Sequence, residues 1–149
     1  MSADAVAGLA VGAGLGAVFA FGVVWYILQI IGNWKLFKKA GKPGWHSIVP
    51  FLNIYDEYDM CWNGGLGIVF LLFDLIVNVI NASNSQNIVV LAIAGILAII
   101  TLVLHIMQSL KLSKAFGHGV GYGIFLIIFD RLGRLILGFG SSEYQGKDA

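Results

Sequence analysis

The sequence predicts an all-α membrane protein, with about four transmembrane helices and an amphipathic interfacial segment between the first and the second. Three observations carry that expectation. Of 149 residues, 58% are hydrophobic and only 11% charged, against about a quarter charged in soluble domains, and the mean hydropathy is +0.86. A water-soluble surface cannot be built from that composition. Long apolar runs alternate with short polar intervals, and about 20 apolar residues suffice to cross a bilayer. Lysines, finally, gather in the first and third of those intervals and avoid the second. Residues 1–149 are short enough for a single transmembrane domain.

The first segment carries no charge from Ala5 to Trp34 and is expected to span from about residue 7 to 32. Its apolar run is too long for a signal peptide and lacks a basic leader, so it reads as a retained anchor. The interval from about 34 to 63 follows. In it, "KLFKKAGKPGW" is basic and interrupted by Gly41, Pro43 and Gly44, and "HSIVPFLNIYDEYDMCW" alternates apolar anchors with polar groups. Trp34, Trp45, Tyr55, Tyr58 and Trp62 suit the headgroup layer, because each ring has an apolar face and a polar edge. This stretch is expected to lie in the interface, partly as a short helix. The second span runs from about 66 to 82, the neutral "SNSQN" makes a tight turn, and the third runs from about 88 to 110, so that the two form a hairpin. The fourth apolar segment, about 119 to 140, contains the charged stretch "FDRLGRLIL". It either crosses or turns back.

Lysines set the expected orientation, since positive residues near span ends stay cytoplasmic. Lys35, Lys38, Lys39 and Lys42 lie in the first interval, and Lys111 and Lys114 in the third. The interval 33–64 is then cytoplasmic and the N-terminus outside. A re-entrant fourth segment would return the C-terminus to the cytoplasm.

Several constellations bear on function. Gly8, Gly12 and Gly16 stand four apart in the first segment, a small-residue stripe against which a second helix can pack closely. That helix is either another of this chain or one from a second copy. Asp74, Asn78 and Asn81 share one face of the second span, and Thr101, His105 and Gln108 one face of the third. A charge near the bilayer centre costs about 2.5–3.5 kcal/mol, so Asp74 needs a proton, a partner or water. In the fourth segment Asp130 and Arg134 are four apart and can pair. Arg131 points aside at a depth similar to Asp74, and an Asp74–Arg131 ion pair between the second and fourth segments is expected. Together Asp74, Asn78, Asn81, Thr101, His105, Asp130, Arg131 and Arg134 form a buried polar seam or a pathway. Gly133 weakens the helix there and opens the way to a break. Lys38, Lys39, Lys42 and Trp45 are expected at the interface, touching anionic lipid heads or a cytoplasmic partner.

The run "WKLFKKAGKPGWHSIVPFLNIYDEY", followed by "LSKAFGHGVGYG" and "ILGFGSSEYQG", resembles a widespread bacterial family of small multi-pass membrane proteins of unknown function, some of whose members carry a misleading signal peptidase I label. The resemblance covers most of the chain from Trp34 onward. It rests on Trp34, Lys35, Phe37, Lys39, Ala40, Gly41, Pro43, Gly44, Trp45, Pro50 and Asn53 in the first block, and in the later two on Lys114, Ala115, Phe116, Gly117, Gly121, Gly123, Leu137, Gly138, Gly140, Tyr144, Gln145 and Gly146. It implies a polytopic fold in the inner membrane of a bacterium, and supplies no catalytic residue. The stretch before "LILGFG" departs from the family pattern, which is apolar with prolines, where this chain has "FDRLGR".

Composition also excludes. A net charge of +1 does not make the basic surface that nucleic acid requires. One cysteine, Cys61, allows no intramolecular disulfide, Cys-x-x-Cys pair or cysteine zinc cage. His105 has no second strong ligand one turn away, so no metal and no cofactor are expected. Ser109, Lys111, Ser113 and Lys114 read as helix-end anchors rather than a serine–lysine hydrolase pair. The chain is therefore expected to be non-enzymatic. It would act through self-association or within a larger membrane assembly, with lipids as partners; the alternative is a small channel or transporter using the mid-membrane polar residues.

Overall fold

The computed structural model describes residues 2–148. Every regular element among them is helical: α1 (Ala3–Lys39), a 3₁₀ turn (Gly44–Ser47), α2 (Pro50–Cys61), α3 (Gly64–Ala82), α4 (Ile88–Ala115), α5 (Val120–Ile128) and α6 (Asp130–Phe139). Local chemistry sets most boundaries. Ser2 caps α1 by accepting from the Ala5 N–H at 3.3 Å, and Lys38 and Lys39 oppose the negative end of its dipole. Gly41, at φ +73°, stops it. There the Lys42 N–H donates to the Phe37 carbonyl and the Gly41 N–H to that of Lys38, the paired bonds of a Schellman ending. Gly117, at φ +75°, ends α4 the same way. Pro50 opens α2 at a position where no N–H partner is needed, and the Asn63 and Asn87 side chains cap α3 and α4.

Three of these helices, α1, α3 and α4, are long and apolar enough to cross a membrane. α1 is longer at both ends than the segment expected from hydropathy, because nothing between Asn33 and Lys39 breaks the helix and Leu36 and Phe37 are fully buried there. The predicted hairpin is present, with α3 packed along α4.

The fourth apolar segment is not one continuous helix. It divides at Phe129 (φ −123°, ψ 53°) into α5 of 9 residues and α6 of 10, each about 15 Å long and so about half of a hydrocarbon core. α5 descends beside α4, with Gly123 on Leu110, and α6 returns beside the last turns of α1. Both ends of this hairpin lie at the lysine end of the bundle: the Gly119 carbonyl accepts from Ser113 Oγ at 2.7 Å, and the Gly140 carbonyl from Lys39 Nζ at 2.7 Å. Gly133 is not the break. It sits within α6, where any Cβ would run into Leu126.

One packed layer joins these ends. Leu36 and Phe37 of α1, Met60 and Cys61 of α2, Leu112, Ala115 and Phe116 at the end of α4, Leu126 of α5 and Leu137 of α6 form a buried cluster. The tail crosses beneath it, with Tyr144 donating to the Met60 carbonyl at 2.5 Å and the Gln145 N–H to that of Ala115 at 2.6 Å. Lys42 bonds Asp59, and that hydrogen bond holds the Asp59 carboxyl below its ordinary range. In "GKPGW", Gly44 does not adopt the left-handed turn that its residue type permits; it is needed because a Cβ would strike the Trp34 ring. The N-terminal part of α1 stands apart, and every residue from Ser2 to Val24 is exposed.

The α1–α6 contact is backbone on backbone, since a Cβ on Gly138 would meet the Gly32 carbonyl. Gly138→Ala should therefore cost about 1–3 kcal/mol, as overpacking does, whereas Gly12→Ala, with nothing within 4 Å, should cost nothing. Thermal unfolding of both variants in mild detergent checks this. Equal midpoints would mean that α6 does not seat on α1.

Candidate functional site

Where α6 returns against α1, with α2 across the lysine end and α4 behind, the helices leave a cleft of about 800 Å³. Its wall is formed by Trp25, Gln29 and Asn33 of α1, Asn53, Glu57 and Tyr58 of α2, His105 and Gln108 of α4, and Asp130, Arg131 and Arg134 of α6, with Phe70 of α3 at one side. Helical periodicity explains the alignment: Gln29 and Asn33 are one turn apart on α1, as are Asn53 and Glu57 on α2, and Asp130 and Arg134 on α6.

Arg134 is the electrostatic centre. Only 8% exposed, it pairs through Nη1 with Glu57 Oε1 and donates from Nε to Asp130 Oδ1 at 2.8 Å. Burial pushes the Glu57 carboxyl up from its ordinary range, and the guanidinium pulls against that shift. Both acids are thus turned onto one arginine. Around them lie polar atoms with no protein partner: Gln29 Nε2, Asn33 Oδ1, Asn53 Oδ1 and Gln108 Nε2. Four such groups on residues of three helices that line one cavity is unusual, because buried polar atoms are nearly always hydrogen-bonded.

The predicted polar seam divides. His105, Asp130, Arg131 and Arg134 come together in the cleft. Asp130 and Arg134 pair along one helix face, as their spacing predicts. Thr101 is buried but turns its hydroxyl onto the Leu97 and Ala98 carbonyls of its own helix, at 2.8 and 3.0 Å. Asp74, Asn78 and Asn81 are exposed on α3, and Asn78 Nδ2 donates to Asp74 Oδ2 at 3.0 Å. The expected Asp74–Arg131 ion pair is absent among the described residues. α3 packs chiefly on α2 and α4, while the turn at Phe129 carries α6 to α1. Arg131 is exposed and has no carboxylate partner among the described residues.

Of the expected interfacial group, Lys38 and Trp45 are exposed. Lys39 and Lys42 turn inward: Lys39 Nζ donates to the Leu137, Gly140 and Ser142 carbonyls, and Lys42 pairs with Asp59 and Asp56. A Cβ on Gly8, Gly12 or Gly16 would meet nothing within 4 Å beyond the adjoining turns of α1. Cys61 lies in the core, where burial pushes its thiol up to about 12.

Sequence reasoning missed Glu57 and Gln29. Glu57 lay among three acids that count little for orientation, and nothing local distinguished it from Asp56 or Asp59. Gln29 did leave a signal, as an amide one turn before Asn33 in a chargeless run.

A family model, described as a family of unknown function (DUF5684), matches residues 45–147, and the chain belongs to that family. Neither the curated proteins nor the solved structures contain a match to it.

If Arg134 balances the half-buried Glu57 and Asp130, Arg134→Met alone should destabilise by about 3–5 kcal/mol by leaving both acids uncompensated. Adding Glu57→Gln and Asp130→Asn should recover most of that loss. Unfolding midpoints in detergent decide it, and a triple variant no more stable than the single one rules the triad out.

Proposed function

We propose that this member of the family is a non-enzymatic integral membrane protein whose cleft holds or passes a small polar solute, in the manner of a carrier or narrow channel. One observation carries the reading: four residues of α1, α2 and α4 that line the same cavity each hold a buried polar atom with no hydrogen-bond partner. Polar groups in membrane-embedded helices face a protein interior or a wet cavity and mark pathways. A helix that stops partway through a bilayer is tolerated only where its ends are buried in protein or line such a cavity, and the α5–α6 turn fits that condition. Ser47, the serine that lines the cleft, donates its hydroxyl to the Gly44 carbonyl at 2.7 Å, and the Cys61 thiol is buried in the core, so neither is set beside a base that would activate it. In this reading the protein resides in a bacterial inner membrane, with the lysine-bearing end and the tail cytoplasmic and the N-terminus outside, since lysines dominate orientation.

A second reading has its own observation. The exposed part of α1 carries Gly8, Gly12 and Gly16 with no intrachain neighbour, and the expectation that this face packs within the chain is not met. Its natural occupant is the same face of a second copy, which would make the functional unit an oligomer. Gly12→Leu should then abolish disulfide cross-linking of an Ala13→Cys variant in membranes; cross-linking at the unsubstituted level would leave this face to lipid.

For the cleft itself, Asn53→Cys and Gln108→Cys, made in a Cys61→Ala background, should react with a small membrane-impermeant thiol reagent from the lysine side. Ala94→Cys, buried on α4 outside the cleft, should stay protected. Protection at all three positions would mean a dry interior and no solute site.

A further inference from the structure

We propose that the cleft takes an oxyanion, specifically a phosphate group, at the N-terminus of α6; the proposal rests on the reading of the cleft as a solute site. α6 begins at Asp130 inside the hairpin, and its capping residue, Phe129, offers no side-chain acceptor. The first N–H groups of a helix have no intrahelical partners and together carry about half a positive charge, which is why phosphates bind at such ends. This end lines the cavity through Asp130 and Arg131.

Independent observations point to the same chemistry. Gln108, 1% exposed, and Gln29, 9% exposed, line the cavity, and each holds a buried amide nitrogen with no acceptor. Arg131 brings a guanidinium with no carboxylate partner among the described residues, and His105 adds a ring nitrogen. Two helices and a helix terminus therefore converge with donors that want an acceptor-rich group. The acids that would repel an anion, Glu57 and Asp130, are both held on Arg134. That leaves Arg131 and the α6 dipole facing the cavity. The free carbonyl oxygens of Asn33 and Asn53 suit a hydroxyl beside the phosphate, as a glycerol phosphate carries.

A phosphate here has two sources: a phospholipid headgroup entering sideways past Trp25 and Phe70, or a soluble phosphate ester from the lysine side. Binding is read on the intact protein in neutral detergent, by native mass spectrometry and by protection of Asn53→Cys from the thiol reagent. The probes are inorganic phosphate, glycerol 3-phosphate, phosphatidylglycerol in mixed micelles, and diacylglycerol as the lipid without phosphate. At least one phosphate-bearing probe should bind and protect while diacylglycerol does neither. Arg131→Gln, at an exposed residue with no ion pair to lose, should weaken binding about tenfold or more, the size of a lost charged hydrogen bond, and Lys114→Gln should not. Binding of phosphatidylglycerol alone assigns the site to a headgroup; binding of the soluble probes as well assigns it to a free ester. Failure of every phosphate probe, or affinity unchanged by Arg131→Gln, overturns the oxyanion. If Asn53→Cys is labelled but no phosphate protects it, the solute site stands without this ligand; if it is never labelled, both fall.

Discussion

A short helix that turns back against its neighbours must bring its last carbonyls to a donor, and in this chain three carbonyls converge on one ammonium. Lys39 Nζ lies 2.6 Å from the Leu137 oxygen, 2.7 Å from that of Gly140 and 2.9 Å from that of Ser142. A lysine has three protons and no acceptor, so this group is fully satisfied by the end of α6 and the start of the tail. The contact fixes the end of α1 beside the end of α6 and brings Gly138 against the Gly32 backbone. It also sends the tail across Met60 and Ala115, closing the buried layer.

The cleft follows from that closure. With the ends of α1, α4 and α6 held together, the short α5–α6 hairpin places the start of α6 partway along the bundle, and α2 lies over the lysine end. The space between is too small for another helix and too polar to collapse, because Arg134 keeps Glu57 and Asp130 drawn in around it. A buried arginine with two acids is tolerable only while all three remain. The neighbouring amides have no such internal solution and face the cavity instead.

Much of the architecture was legible in the residues themselves. Chargeless or nearly chargeless runs located α1, α3 and α4. Several of the quoted motif residues turn out to belong to the packed layer or to tie it together: Phe37, Phe116 and Leu137 in the cluster, Lys39 on the carbonyls, Gly138 at the backbone crossing, Tyr144 and Gln145 tying the tail. The Asp130–Arg134 pair was legible because i, i+4 neighbours meet on any helix. The Asp74–Arg131 pair was not realised, since equal depth in a membrane says nothing about which way two helices face.

Hydropathy and spacing by themselves determined that this chain is helical, with segments long and apolar enough to cross a membrane and its lysines at one end, because the capacity to span depends on local apolarity and length. Tertiary structure alone decided that the fourth segment returns rather than crosses, that Glu57 is the distant partner of Arg134, and that the N-terminal glycines meet nothing of their own chain. Each depends on a contact between residues far apart in sequence. No local period encodes which helix face will meet which, and that choice made the cleft.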